Sequence, residues 1–303
     1  MTVETPNRVE HGGGESARFI SPLRVEKAGE SLGAEISNCD LAKVPGDAGL
    51  IAEIRALLLQ HKVLFFRDQN ITPAQHVAFA RCYGELEQHP VFDHHPDHPE
   101  LVLLYRNDGK QATENVFHSD TSFRAVPSLG AVLRCLECPP TGGDTIFVNM
   151  VMAYERLDPF YKDRLDGLYA VHDVALGFGA TSTRERRAQL RAQLPPQEHL
   201  AVRTHPETGE KILYVNQGFT THFANYRSKV ATQVGCERNL GAMAFMQYLL
   251  QLAAIPEYQV RLRWRPNTIA FWDNRSTQHY AVQDYYPAVR RMQRATIIGD
   301  APF

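Results

Sequence analysis

Several things are scarce in this chain, and each scarcity excludes a class of protein. No stretch of about 18 apolar residues occurs, so a membrane-spanning helix is not expected. Met1 to Arg18 is polar, carries Pro6 and Gly12-Gly13-Gly14, and has no apolar signal core. It reads as a disordered lead to a single domain over 19–303, and the expected location is the cytoplasm. Charge of one sign is not in excess: 32 Lys and Arg face 34 Asp and Glu, a net charge of −2 with 13 neutral histidines. That balance gives no reason to expect nucleic acid or a membrane surface as partner. Cysteine is sparse and odd in number, five in 303 residues. The one C-x-x-C, Cys135 to Cys138, has no second pair to complete a zinc site. On an unbroken strand its two thiols would point to opposite faces. Free, buried or half-buried thiols in a reducing compartment are expected. No repeat, low-complexity tract or linker divides the chain.

What remains is a soluble-type composition, 44% apolar and 22% charged, long enough for a sizeable core. Ala48 to His61 has a helical apolar period. Thr72-Pro73-Ala74-Gln75 is a helix start with a capping pair. Helices are also expected over Val151–Leu165, Ser182–Gln193 and Arg238–Ala253, all within a helical insert at about 150–255. Short period-2 segments make up most of the rest: Lys62–Phe66, Leu101–Tyr105, Leu129–Cys138, Asp144–Asn149 and four in the last third. A mainly β fold with α additions follows, a jelly-roll (double-stranded β-helix) core flanked by helices. Gln88 to Pro99 holds four histidines and three prolines and reads as an irregular polar loop. Arg106 to Glu114 reads as a mobile connection of the kind that forms lids.

Two places carry chemistry. Phe117-His118-Ser119-Asp120-Thr121 contains His-x-Asp. On a strand, residues two apart share a face, roughly 6–7 Å apart at the backbone. With the distant His279 they form two imidazoles and one carboxylate, the set that binds one face of Fe(II) and leaves the opposite positions open. Alone, the pair is weak, because a histidine held by a surface carboxylate looks the same. Arg290 and Arg294 lie four apart on an expected strand and share a face. Guanidinium forks bind carboxylates, so two acidic ligands fit there, although Arg290-Arg291 also reads as a surface doublet.

Taken together, six blocks in order resemble the Fe(II)- and 2-oxoglutarate-dependent dioxygenases of the taurine and 2,4-dichlorophenoxyacetate dioxygenase family, closest to the taurine branch. They are His61 to Arg67, Phe117 to Thr121, Gly142 to Thr145, Arg203 to Pro206, Val215 to Thr221, and Trp272 to Arg275 with Gln278-His279-Tyr280. The resemblance implies Fe(II) on His118, Asp120 and His279, with 2-oxoglutarate and O₂ as co-substrates. It implies Thr145 and Arg290 on the far carboxylate of 2-oxoglutarate, and Arg294 with His89 on the anionic head of the substrate. Phe178 and Phe219 would be apolar walls. Phe92, Glu114 and Gly177 depart from the taurine pattern, standing for a tyrosine, an asparagine and a serine. Asn115 is the candidate to replace the lost asparagine. The implied reaction is hydroxylation of a small anion, first an organosulfonate such as taurine with release of sulfite and an aldehyde. The alternatives are an alkyl sulfate ester, an aryloxyalkanoate or another carboxylate, and, from a different class, a jelly-roll binding protein without catalysis. Partners beyond the small molecule reduce to further copies of the chain, as a homo-oligomer.

Overall fold

The structure, a computed structural model, describes residues 23–89, 92–106, 115–180, 182–226 and 240–303. The expected lead at 1–18, Glu114 and Cys236 lie outside them, as does nearly all of the expected lid. Along the first half run β1 (Arg24–Lys27), β2 (Ala34–Ser37), α1 (Ala48–His61), β3 (Val63–Phe66), α2 (Pro73–Arg81), β4 (His94–His95), β5 (His98–Arg106), β6 (Ser128–Glu137) and β7 (Thr145–Asn149). Then come α3 (Met150–Glu155), α4 (Pro159–Leu165), β8 (Tyr169–His172), α5 (Val174–Gly177), α6 (Arg184–Gln193), β9 (Gln197–Leu200), β10 (Val202–Thr204), β11 (Lys211–Leu213), β12 (Thr220–Phe223) and α7 (Leu240–Gln251). The chain closes with β13 (Gln259–Leu262), β14 (Ile269–Asp273), β15 (Thr277–Ala281) and β16 (Arg290–Ile298).

The large sheet has the order β1-β2-β3-β14-β6-β16-β5-β4, and a smaller one the order β13-β7-β15. Neighbours pair antiparallel except β2 with β3. Between the two sheets lies an apolar layer from both: Phe65, Leu133, Trp272 and Met292 meet Phe147, Val260 and Leu262. Phe147 is its centre, with ring centroids 5.6 Å from Trp272 and 5.8 Å from Phe65. Truncating such a ring typically costs about 3–5 kcal/mol. This is the jelly-roll core.

The outer face of the large sheet is covered by the first two helices. Ile54 and Leu58 of α1 and Val77 and Phe79 of α2 pack on Leu64, Phe66 and Phe271. α1 starts where Asp47 accepts from the Leu50 N–H at 3.0 Å. It stops at Lys62, whose φ of 66° turns the chain straight into β3. At α2 the capping pair is complete: Thr72 Oγ1 accepts from Gln75 N, and Gln75 Oε1 accepts from Thr72 N. The smaller sheet's other face is covered by α3, α4 and α7, through Met150, Leu165, Phe245 and Leu249.

Three local expectations need correction. The helix expected over 151–165 is two helices, because Asp158 caps a new one and Pro159 is its first residue. Besides its helices the stretch 150–255 holds two small sheets, β12-β8-β9 and β10-β11, as the strand period at 168–174 and the hairpin pattern at 201–216 lead one to expect. In the histidine-rich loop, β4 pairs with β5 despite the prolines. Pro99 precedes Leu101–Arg106, the part of β5 that pairs with β16, so its missing N–H breaks no bond there. Cys39, Cys82, Cys135 and Cys138 are free. Pairing of β6 with β16 skips Leu136, and this bulge turns Cys138 back onto Cys135, against the opposite-face expectation. Burial, then Cys138, raises the Cys135 thiol, which stays protonated.

Candidate metal centre

His118 and His279 face each other as a single antiparallel bridge, outside the regular ladder. His118 N donates to His279 O at 3.0 Å, and His279 N to His118 O at 2.8 Å. The expectation of a strand through Asp120 is therefore corrected. One bridge forms, and the chain then leaves in a turn at Thr121, φ 54°. His279 itself lies on β15, opposite Phe147 of β7. Its ring rests on Trp272 and Phe147, centroids 5.1 and 6.1 Å away. The inter-sheet core is thus the floor of the site. Gly218 lies over His118. A Cβ there would come within 2.7 Å of His118 Cβ, so only glycine allows the approach.

The three side chains converge. Their ligand atoms all lie within 4.8 Å of one another. His118 Nε2 is 3.8 Å from Asp120 Oδ1, and His279 Nε2 is 4.0 Å from Asp120 Oδ2. Adjacent donors on an ion bound at about 2.1 Å sit about 3 Å apart, so small side-chain movements close the site. His118 Nδ1 lies 2.8 Å from Val116 O. A carbonyl only accepts, so Nδ1 carries a proton, which leaves Nε2 as the nitrogen that can face a metal. His279 Nδ1 is buried and has no hydrogen-bond partner among the described residues. Burial, then the neighbouring His118, lowers the His279 pKa to about 3, which keeps the ring neutral, as a ligand must be. Burial alone would raise the Asp120 carboxyl. Arg294, followed by the imidazoles, outweighs it and brings it down to about 2. Two imidazoles and one ionised carboxylate fit a divalent iron.

Arg294 Nη1 donates to Asp120 Oδ2 at 2.9 Å, and its Cζ stands 5.7 Å over the Phe92 ring. Arg294 Nε is buried without a partner among the described residues. His89 is buried here too; burial, then Arg294, lowers it to about 3. Its ring lies 4.6 Å from Phe92 and 6.0 Å from Phe178. Phe178 in turn meets Phe92 at 5.7 Å and both Phe123 and Phe219 at 6.0 Å. Phe219 also reaches the His118 ring at 6.2 Å. Four phenylalanines therefore form one contiguous aromatic cluster between Arg294 and His118.

Arg290 is four residues back on the same face of β16, buried, its Cζ 5.9 Å from the rings of both Trp264 and Tyr285. Trp264 Nε1 donates to Thr145 Oγ1 at 2.9 Å, so Thr145 and Arg290 share one wall. Arg291 faces outward, paired with Glu137. Asn115 is exposed at the start of its segment.

Sequence reasoning missed several contributors. Phe123 lies in the turn after Asp120, where nothing local marks it as a wall. Glu87 is buried against Arg124; burial raises its carboxyl and Arg124 opposes. Asn216 accepts from Phe219 N at 2.9 Å and donates to Ser122 Oγ at 3.0 Å, which holds the Phe219 wall. Asn274 bonds the main chain of Asp120. Both asparagines stand in the blocks that carry the resemblance, and that was their only signal.

Comparison with known proteins agrees with this geometry. The profile of the family described as "Taurine catabolism dioxygenase TauD, TfdA family" matches residues 24–296. An alkylsulfatase of Acinetobacter baylyi is 33% identical over 92% of this chain and 86% of its own. An alpha-ketoglutarate-dependent sulfate ester dioxygenase of Pseudomonas putida is 30% identical, covering 92% of this chain and 91% of its own. The crystal structure of a taurine dioxygenase from Burkholderia xenovorans superposes with a TM-score of 0.76 and 34% identity, over 92% of this chain and 90% of that one.

Proposed function

The chain belongs to the TauD/TfdA family and is a 2-oxoglutarate-dependent iron dioxygenase of small organic anions; we propose that its substrate is a sulfate ester or sulfonate with an apolar alkyl or aryl body. The observation that carries this reading is the aromatic cluster of Phe92, Phe123, Phe178 and Phe219 set against one guanidinium, Arg294, which we read as a cage for the substrate's carbon body. Such a space rewards burial of carbon and supplies one cationic grip.

When bound, Fe(II) with 2-oxoglutarate and O₂ supplies the oxidation: the keto acid becomes succinate and CO₂, and one oxygen atom goes to a substrate carbon. The residues do the placing. His118, Asp120 and His279 hold the metal from one side. Arg290 and Thr145 take the far carboxylate of 2-oxoglutarate on the wall shared with Trp264 and Tyr285. Arg294, whose Nε has no partner among the described residues, meets the anionic head, and neutral His89 donates beside it. The four rings exclude water and aim the carbon next to the head at His118 and His279. Once hydroxylated, that carbon bears both OH and a sulfur–oxygen leaving group. It collapses to an aldehyde, with release of sulfate from an ester or sulfite from a sulfonate.

Taurine fits less well. Among the described residues Asp120, Glu87 and Asp173 are already engaged, by Arg294, Arg124 and Arg191. A desolvated ammonium without a partner costs about 1–3 kcal/mol. An aryloxyalkanoate is the second reading, favoured by the aromatic walls alone. The test is succinate formation with Fe(II), ascorbate and 2-oxoglutarate, alongside sulfate and sulfite release. Hexyl sulfate, pentanesulfonate, phenoxyacetate and taurine are compared. The expected order of kcat/KM places the first two ahead of the others. A preference for taurine, or succinate formation that none of the four stimulates, overturns the proposal.

A further inference from the structure

We propose that Asn274 is a positioning residue for the metal-binding carboxylate: its side-chain amide grips both polar groups of the Asp120 main chain and so fixes where that carboxylate stands. The inference rests on reading His118, Asp120 and His279 as the iron ligands.

Asp120 has no strand partner among the described residues. The bridge to β15 ends at His118, and Thr121 turns the chain away at φ 54°. The buried N–H and C=O of Asp120 would be left without partners, at about 1–3 kcal/mol each. Asn274 supplies both. Its Oδ1 accepts from Asp120 N at 2.8 Å, and its Nδ2 donates to Asp120 O at 2.8 Å. Nδ2 also reaches Ser128 Oγ at 3.0 Å. Asn274 N donates to Leu129 O at 2.8 Å, so the gripping residue is itself tied to β6. An amide offers a donor and an acceptor in one plane, as a neighbouring strand would. Two bonds to one residue's main chain fix both its position and its rotation. The Asp120 side chain then retains only its two torsions, and Arg294 takes Oδ2. The flanking Asp273 and Arg275 act elsewhere: Arg275 Nε and Nη2 donate to Asp273, which also pairs with His205. Only the middle residue of the three reaches the ligand.

The test is calorimetric titration of the metal-free protein with Mn(II), a stand-in for Fe(II) that needs no exclusion of air, with far-UV circular dichroism and a melting curve on each variant. Asn274→Ala is expected to weaken Mn(II) binding by about tenfold or more, the range seen when groups that orient metal ligands are lost. Asn274→Asp keeps size and the acceptor but sets carboxylate oxygen against the carbonyls of Asp120 and Ser128, and is expected to weaken binding at least as much. Ser128→Ala removes a contact of Asn274 but not its grip on Asp120, and is expected to change binding by less than about threefold. A folded Asn274→Asp variant with parental Mn(II) affinity overturns the proposal. So does a Ser128→Ala loss equal to that of Asn274→Ala, which would mean general loosening. If neither Asn274 variant folds, the residue is a folding determinant and the proposal also fails. Absence of Mn(II) binding by the parent protein would instead overturn the ligand reading itself.

Discussion

Arg294 and Asp120, far apart in sequence, share a hydrogen bond of 2.9 Å inside the site. The same guanidinium is thus both counter-ion to Asp120 and the cation beside the Phe92 ring. Arg294→Leu is expected to lower kcat/KM for an anionic substrate by about 30-fold or more, from loss of about 2 kcal/mol or more of charge-assisted hydrogen bonding. The KM for 2-oxoglutarate should move little. Steady-state kinetics in both co-substrates separate the two effects. An unchanged substrate kcat/KM would remove Arg294 from the substrate's grip.

His118→Ala, Asp120→Ala and His279→Ala are each expected to abolish turnover and weaken Fe(II) binding, since a three-donor set has none to spare. The check is anaerobic Fe(II) titration together with succinate formation. Full activity in any one of them rejects the metal assignment.

Arg290→Leu is expected to raise the 2-oxoglutarate KM by about 30- to 1000-fold, from loss of a contact worth about 2–4 kcal/mol. Arg291→Leu serves as comparison. Its side chain is on the outer face with Glu137, and its substitution should leave that KM within about twofold, as exposed pairs contribute little.

Gly177 sets the position of a cage wall. A Cβ at residue 177 would lie 2.7 Å from Phe219 Cε1 and 3.0 Å from Gly218 O. Gly177→Ser is therefore expected to displace the Phe219 ring and reduce kcat/KM for hexyl sulfate more than for taurine. The ratio of the two specificity constants is the measurement, and an unchanged ratio refutes the role.

His76 and His172 are fully buried and stay neutral; burial lowers them to about 4 and about 3. Unfolded, each would take a proton near pH 6.5. The unfolded state therefore binds more protons between about pH 6.5 and those values, and stability falls as pH drops through that window. Each contributes up to about 1.4 kcal/mol per pH unit there. Melting temperatures of the metal-free protein from pH 7 to 4.5 should fall, and less steeply for His76→Gln. Parallel curves for the two proteins would contradict this.

Local rules carried the sequence reading a long way. α1 begins and ends where its apolar period and capping place it, and the Thr72–Gln75 pair forms as its spacing dictates. Reading failed where tertiary contacts decide. The apolar period over 151–165 runs across Pro159, but with Asp158 before it the first turn of a new helix is better satisfied. His118 and Asp120 were expected to share a strand face, whereas a bridge, a left-handed residue and a side-chain amide place them. No local pattern reveals that Phe123 packs 4.9 Å from Phe219, since their meeting depends on how β12 is delivered to the site.

The main-chain bridge between His118 and His279 has a consequence for how such a chain changes over time. The two imidazoles are set by backbone hydrogen bonds, which tolerate changes in most neighbouring side chains. The four rings of the cage come from separate short connections: ahead of β4, after Asp120, at the end of α5 and ahead of β12. A lineage can exchange one ring at a time and acquire a new diet while the oxidising centre stays where it was. Relatives about a third identical to this chain carry names that refer to alkyl sulfates in one case and taurine in another, the divergence such a division of labour permits.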